Sequence, residues 1–400
     1  MQPVILKIQG NFYDSQIYRG KLYLWHFDGR LSVYDWNQLI YDIEVPNYLS
    51  FVKDLCLLDG SYLYKTYLYD RLLHDKEIKS IIEDKIKSLS GLQFIIDEEE
   101  LGKYVIKEYD VPLGEMPLDV HIYNKKLYYT LDRGQYVSRL KGNNEPLSAM
   151  KRPNKIFDGR VVHMAVNNGR MAMSMLSDGL YERNISDYFE EIEPLRISNR
   201  HSNFAYYNYS NIFNTSLQGE SFLIYNSPLM NDDVMDFGKQ FARQRINRVN
   251  AILYDENSIT QKGNLGNIGW GFNNRIYYSN GKQITAVQYS GYKRDCIFKI
   301  LKDNVFIEQA PSEKIVSAAV AYFGNIVEYM SKLVVLQSDG DIFQILGPVT
   351  RWRVFPRSLN YENHLHVILD DCLCVYGFMH DYTSNDRDKT MGAYYVNRQY

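Results

Sequence analysis

Ile17-Tyr18-Arg19-Gly20-Lys21-Leu22-Tyr23 recurs as Ile122-Tyr123-Asn124-Lys125-Lys126-Leu127-Tyr128, with Ile, Tyr, Lys, Leu and Tyr at matching places. Shorter copies stand at Phe272-Asn273-Asn274-Arg275-Ile276-Tyr277 and Tyr329-Met330-Ser331-Lys332-Leu333-Val334. Tyr361-Glu362-Asn363-His364-Leu365-His366 carries His in the basic slot, and Val166 to Met171 is a looser copy, one residue longer. The shared pattern is an aromatic, two turn-like residues, a basic residue and an apolar run. Asn, Gly and Ser in the middle favour a tight turn, and the alternation that follows starts a strand. A second turn signal comes at a near-constant distance: Asp28-Gly29, Arg133-Gly134, Asp178-Gly179, Asn280-Gly281 and Asp339-Gly340, with Asp59-Gly60 in a similar context. Asp-Gly and Asn-Gly between apolar runs are the strongest short hairpin signal, because both residues take positive φ. Each unit therefore reads turn, strand, tight turn, strand.

The copies begin near residues 18, 123, 166, 272, 329 and 361, with a degenerate one near Leu217. Spacings of about 40–60 residues suit one four-stranded propeller blade. The expectation is an all-β chain, a β-propeller of about seven four-stranded blades; six or eight would also fit, and another all-β repeat or a sandwich is the competing architecture. Composition agrees. Tyr is the outlier at 35 residues, beside 18 Phe and 4 Trp, and aromatics suit pleated, half-buried strands.

The stretch Asp28-Gly29-Arg30-Leu31-Ser32-Val33-Tyr34-Asp35-Trp36 resembles the end of a WD40 repeat, where a D-G turn leads into a strand closing on an aromatic-Asp pair; Asp339-Gly340-Asp341-Ile342-Phe343 matches its first half. The Gly-His pair and the repeated Trp-Asp are missing. The resemblance is thus to β-propellers, distantly WD40-like, over most of the chain. It implies a docking platform, since such propellers commonly act as one.

A propeller closes its ring by sharing a blade between chain ends. Val4-Ile5-Leu6-Lys7-Ile8 and Ala393-Tyr394-Tyr395-Val396 are both strand-like and are expected to share one. The whole chain, 1–400, reads as a single propeller domain with two interruptions. Ile78, Ile81, Ile82, Ile86 and Leu89 recur at helical spacing, which predicts a helix over about 75–89 capped by Asp75. The acidic run Asp97-Glu98-Glu99-Glu100 follows, and 71–105 is read as a helical insertion that either covers a strand edge or docks a partner. A second insertion is expected over 226–250. Ser186 to Glu190 carries a capping-box pattern.

Charge narrows the function. Lys+Arg is 45 against Asp+Glu 48, a net −3, which disfavours a general polyanion binder. Four cysteines are too few for a disulfide framework, no apolar run reaches the roughly 18 residues of a membrane span, and the first residues lack a signal-peptide pattern. These point to a cytoplasmic protein with no membrane contact.

No catalytic, cofactor or metal residues emerge. His364 and His366 share a strand face, with His380 and Asp381 nearby, but the spacing is not that of a metal site. Cys372 and Cys374 have no matching pair. The glycine-rich stretch Gly263 to Gly271 lacks the Lys-Ser/Thr of a phosphate loop and leads into a strand. No G-x-S-x-G elbow is present. Binding candidates remain. Basic stretches stand at Lys151-Arg152-Pro153-Asn154-Lys155, at Arg243, Arg245 and Arg248, and at Arg351-Trp352-Arg353 with Arg357; Arg and Trp together can stack bases. Tyr206, Tyr207 and Tyr209 sit among Asn and Ser, and Tyr is enriched at binding hot spots. The reading is a non-catalytic protein–protein interaction scaffold or recognition subunit with a protein partner. Its alternatives are a small-ligand sensor or hydrolase using the central channel, and a nucleic-acid-contacting subunit.

Overall fold

A computed structural model describes residues 2–58, 75–109, 115–140, 154–167, 169–185, 193–208, 211–215, 221–224, 252–255, 268–272, 275–279, 283–290, 297–307, 313, 315–337, 340–358 and 360–378. Among these, the strands form seven sheets, six of four strands and one of five. The repeated four-stranded antiparallel sheet is the blade of a β-propeller. The chain divides into two compact units, 1–116 with 139–152 and 319–390, and 117–138 with 153–318 and 391–400.

The first unit holds the closing blade. β1 (Val4–Gln9) is its early strand. The next blade is β2 (Phe12–Tyr18), β3 (Lys21–His26), β4 (Leu31–Asp35) and β6 (Val105–Tyr109), and between β4 and β6 lies β5 (Phe94–Ile96). The second unit holds β7 (Asp119–Tyr123), β8 (Lys126–Leu131), β9 (Gly134–Arg139) and β10 (Asn154–Phe157). β11 (His163–Asn167), β12 (Arg170–Ser174), β13 (Leu180–Asn184) and β14 (Leu195–Ser198) follow. Then come β15 (Phe204–Asn208), β16 (Asn211–Thr215), β17 (Ser221–Ile224) and β18 (Ile252–Asp255), and β19 (Ile268–Phe272), β20 (Arg275–Ser279), β21 (Gln283–Ser290) and β22 (Ile297–Ile307). One further blade is β23 (Ile315–Ala321), β24 (Gly324–Tyr329), β25 (Lys332–Gln337) and β26 (Ile342–Leu346). Finally β27 (Arg351–Val354), β28 (His364–Leu369) and β29 (Cys372–Gly377) return to β1, which pairs antiparallel with β29 from Val4↔Gly377 to Gln9↔Cys372. The first and last described strands thus share one blade. The strand beside β1 is Cys372–Gly377; Ala393 to Val396 lie outside the described residues, as do 226–250 and Ser186 to Glu190.

The repeat reads directly as turn geometry. Arg19 and Gly20 take φ of 51° and 72°, and Asn124 and Lys125 take 48° and 58°, the paired positive values of a tight hairpin turn. These turns join the first two strands of their blades. The Tyr329 copy is one strand out of phase: Met330-Ser331 joins β24 to β25, the second and third strands. A turn signature marks a hairpin and carries no information on its place in the blade.

The repeat's aromatic has a defined task. Tyr123 Oη accepts the amide of Gly169, in the turn of the next blade, at 2.9 Å. Tyr361 Oη does the same for Gly20 at 2.7 Å. A second link lies on the first strands of the second unit. Asp119 Oδ2 accepts the Met164 amide at 2.7 Å, and the aligned His163 Nδ1 accepts that of Ala205 at 3.4 Å.

Among the described residues, four helices interrupt the first unit: α1 (Trp36–Asp42), α2 (Asn47–Leu57), α3 (Lys76–Ser90) and α4 (Glu98–Gly102). Asp75 caps α3, accepting from the Glu77 and Ile78 amides. Helices therefore extend the insertion N-terminally beyond 71–105. The Asp-Trp pair that ends the WD40-like stretch starts α1: Asp35 accepts the Gln38 amide at 3.0 Å, and Trp36, fully buried, donates its indole N–H to Leu57 O at 2.6 Å. Lys53, only 3% exposed, donates its ammonium to the Ile40, Tyr41 and Ile43 carbonyls at the end of α1. β5 lies parallel on the free edge of β1, which satisfies an otherwise exposed edge. Leu39, Val52, Ile86 and Leu89 join Leu6, Ile8 and Val375 in one apolar core, so the insertion is welded to the closing blade.

Candidate functional site

Arg351 and Arg353 stand on β27, two apart and hence on one face. Their partner is Asp14, the fourth residue before the repeat's aromatic on β2 and fully buried. Arg353 Nε donates to Asp14 Oδ1 and Nη2 to Oδ2, both at 2.6 Å, while Arg351 Nη1 donates to Oδ2 at 2.6 Å. The Ser15 amide donates to Asp14 Oδ1 at 2.8 Å. The Arg351 guanidinium also sits 5.0 Å from the Tyr13 ring centroid. Trp352, facing away from the arginines, donates its indole N–H to Glu328 Oε2 at 2.8 Å. The Arg-Trp-Arg stretch is therefore bound up in ties to β2 and β24.

Beside this clamp lie two fully buried histidines, stacked with centroids 5.9 Å apart. His366 Nδ1 lies 3.1 Å from Ser15 Oγ, and His364 Nε2 donates to Cys56 O at 3.1 Å. His364 Nδ1 and His366 Nε2 have no hydrogen-bond partner among the described residues. Burial pushes His364 down to about 4, against the Cys56 carbonyl, and holds His366 well below the usual range with help from the neighbouring His364 and Arg353. Both rings are neutral at pH 7.

The tyrosines are placed differently. Tyr207 is 2% exposed and donates to Glu182 Oε1 at 2.7 Å. Tyr206 is half-buried and donates to the Ala318 carbonyl at 2.7 Å, within the same unit. Tyr209, Arg243, Arg245 and Arg248 lie outside the described residues.

Exposed aromatics instead gather on the insertion. Tyr41 on α1 is 59% exposed and Tyr48 on α2 61%, and the aliphatic Ile81 on α3 is 55% exposed. Phe51, one turn from Tyr48 on α2, is also exposed. Lys85 joins α3 to α2, donating to the Tyr48 carbonyl at 2.9 Å and sitting 5.9 Å from its ring centroid. The buried side of these helices is fixed in the core with β1, so the patch is held on a rigid base. Sequence reading found the α3 stripe and missed Tyr48 and Phe51. Their spacing on α2 was a usable signal, masked by an aromatic-rich context that reads as strand.

No protein-family model matches the chain, and no curated protein matches it. Among solved structures, the β-propeller domain of Myceliophteria thermophila Cps50 (Swd1) is similar with a TM-score of 0.52 at 9% identity, covering 94% of this chain and 100% of that one. The BBS1N structure in complex with ARL6DN is similar at a TM-score of 0.46 and 9% identity, covering 95% and 98%. At 9% identity the likeness to the Cps50 (Swd1) domain is one of fold: the chain is a β-propeller. No helix among the described residues is long and apolar enough to cross a membrane.

Proposed function

We propose that this propeller is a non-catalytic protein–protein interaction scaffold, and that the insertion docks the partner. The observation that supports this is the exposed group Tyr48, Phe51 and Ile81 on helices whose opposite faces are locked into the closing blade. Exposed Tyr and Phe on a rigid base offer large contact area at low ordering cost. The partner is a folded protein presenting a complementary apolar face. Free thiols at Cys56, Cys372 and Cys374 suit a reducing compartment, which supports a cytoplasmic setting.

The test is affinity capture of the tagged chain from its host, with nuclease treatment, beside a Tyr48→Ala/Phe51→Ala variant. The expected result is a stoichiometric protein partner that survives nuclease, binds again when purified, and is lost in the variant at unchanged melting temperature. A partner retained by the variant overturns the insertion as the docking element. Capture of nucleic acid alone, or a chain that stays monomeric, overturns the scaffold reading.

A further inference from the structure

A cleft of about 310 Å³ opens on the β2–β3–β4–β6 blade beside α4. Aromatic rings form much of its wall: Phe12, His26, Phe27 and Tyr34. Phe12 and His26 pack at 5.3 Å between centroids, and Phe27, 43% exposed, stands edge-on to Tyr13 at 5.6 Å. Leu101 and Val105 add an apolar strip.

The polar lining carries an excess of negative charge. Asp28, Glu98 and Glu108 contribute three carboxylates, against the single guanidinium of Arg30. Arg30 Nη1 donates to Glu108 Oε1 at 3.0 Å, and its Nε lies 3.5 Å from Asp28 Oδ2. Glu98, exposed on the first turn of α4, makes no ion pair among the described residues. Burial, with Arg30 in support, keeps the His26 imidazole below its usual value against the pull of Asp28, Glu108 and Glu98. At neutral pH it therefore adds no compensating charge.

One arrangement here looks like catalysis and is not. Ser32 Oγ lies between His26 Nε2 at 3.0 Å and Glu108 Oε1 at 3.1 Å. A carboxylate only accepts, so the single hydroxyl proton goes to Glu108 and His26 Nε2–H donates to Ser32. A nucleophilic serine must instead hand its proton to the histidine. Ser32 is also fully buried, out of reach of a substrate. The hydrogen bonds hold Glu108 and His26 in place as walls of the cleft.

We infer that this cleft receives a basic side chain, Lys or Arg, of a partner polypeptide. Charge complementarity selects a cation: the carboxylates face its charged head, and aromatic rings take up an ammonium or guanidinium favourably. The volume sits at the lower end of ligand sites, which begin near about 300 Å³, and suits one long side chain. The apolar strip matches its methylene stem. The inference rests on the protein-binding reading and adds a second, charge-selective contact apart from the insertion patch.

The probes are Ac-Gly-Arg-Gly-NH2, Ac-Gly-Lys-Gly-NH2 and Ac-Gly-Glu-Gly-NH2, titrated into the full chain by NMR. The readout is the His26 ring signal, identified by its loss in His26→Gln. Saturable shifts are expected with the basic peptides and none with the glutamyl peptide. Glu98→Gln, an exposed change with little effect on folding, should weaken binding about threefold to fivefold. Arg30→Gln should tighten it by a similar factor. Equal response to the glutamyl peptide, no effect of Glu98→Gln, or no saturable shift overturns the inference. So does tighter binding of free putrescine than of either basic peptide, which would assign the cleft to a small amine. Peptide binding lost with partner capture intact sinks the cleft alone; capture lost with peptide binding intact sinks the scaffold reading alone.

Discussion

The Tyr361 hydroxyl accepts the Gly20 amide at 2.7 Å, tying the last aromatic of the repeat to the first turn of the next blade. Tyr361 is 2% exposed, so removing the hydroxyl strands a buried amide. Tyr361→Phe should cost about 1–3 kcal/mol, read as a lower urea midpoint. Tyr123→Phe, at the part-buried Gly169 link, should cost less. Equal and negligible losses would mean that the aromatic is retained for packing alone.

The Asp14 clamp predicts unequal arginines. Arg353 holds both carboxylate oxygens and is 17% exposed, whereas Arg351 holds one and is 23% exposed. Arg353→Ala should destabilise by roughly 3 kcal/mol, because it leaves a buried carboxylate short of two bonds. Arg351→Ala should cost about half as much. Arg353→Lys should recover little, since an ammonium cannot reproduce the fork. Equilibrium unfolding of the three variants checks the order.

Much of this architecture was legible in the chain. Tyr18-Arg19-Gly20-Lys21 and Tyr123-Asn124-Lys125-Lys126 announce hairpins through local turn chemistry, and α3 announces itself by spacing and by Asp75. The clamp was half legible. Arg351 and Arg353 stand out as a pair, but their counter-ion is Asp14 at the opposite end of the sequence, and only closure of the propeller brings them together. α1 and α2 were hidden because Trp36, Tyr41, Tyr48 and Phe51 are as suited to strands as to helices. The cleft was least legible: the acidic run at Asp97 is conspicuous, while His26, Arg30 and Glu108 come from β3, the β3–β4 turn and β6.

Acid should unfold the protein early. His364 and His366 are neutral and buried, with folded values below that of an unfolded histidine. At pH above the unfolded value of about 6.5 neither state binds the proton, and stability is full. As pH falls from about 6.5, the unfolded chain takes up protons that the folded chain refuses, and stability drops until the folded value, about 4 for His364, is passed. That residue alone accounts for roughly 3 kcal/mol. Urea midpoints should therefore decline between pH 6.5 and 5, above most carboxylate titration, and the decline should be shallower in His364→Asn. Parallel slopes would show that the pair does not govern it.

Lys53 predicts a local loss. Its ammonium serves three carbonyls at the end of α1. Lys53→Met keeps the stem and strands those acceptors, so it should destabilise by about 2–4 kcal/mol. Hydrogen exchange should quicken first in α1 and α2, with β24 and β25 unchanged. Uniform acceleration would indicate that the insertion opens only with the whole fold.

The closing blade also sets an order on synthesis. Lys7 and Asp371, bonded across β1 and the β28–β29 turn, are separated by 364 residues. At about 5–20 residues per second, β1 leaves the ribosome roughly 20 to 70 s before its antiparallel partner exists. β5 emerges far sooner, and its parallel pairing can shelter one edge of β1 meanwhile. β5 then covers one edge of β1 while the other waits for β29, and a message broken upstream of β27 yields a product whose first strand lacks its antiparallel mate.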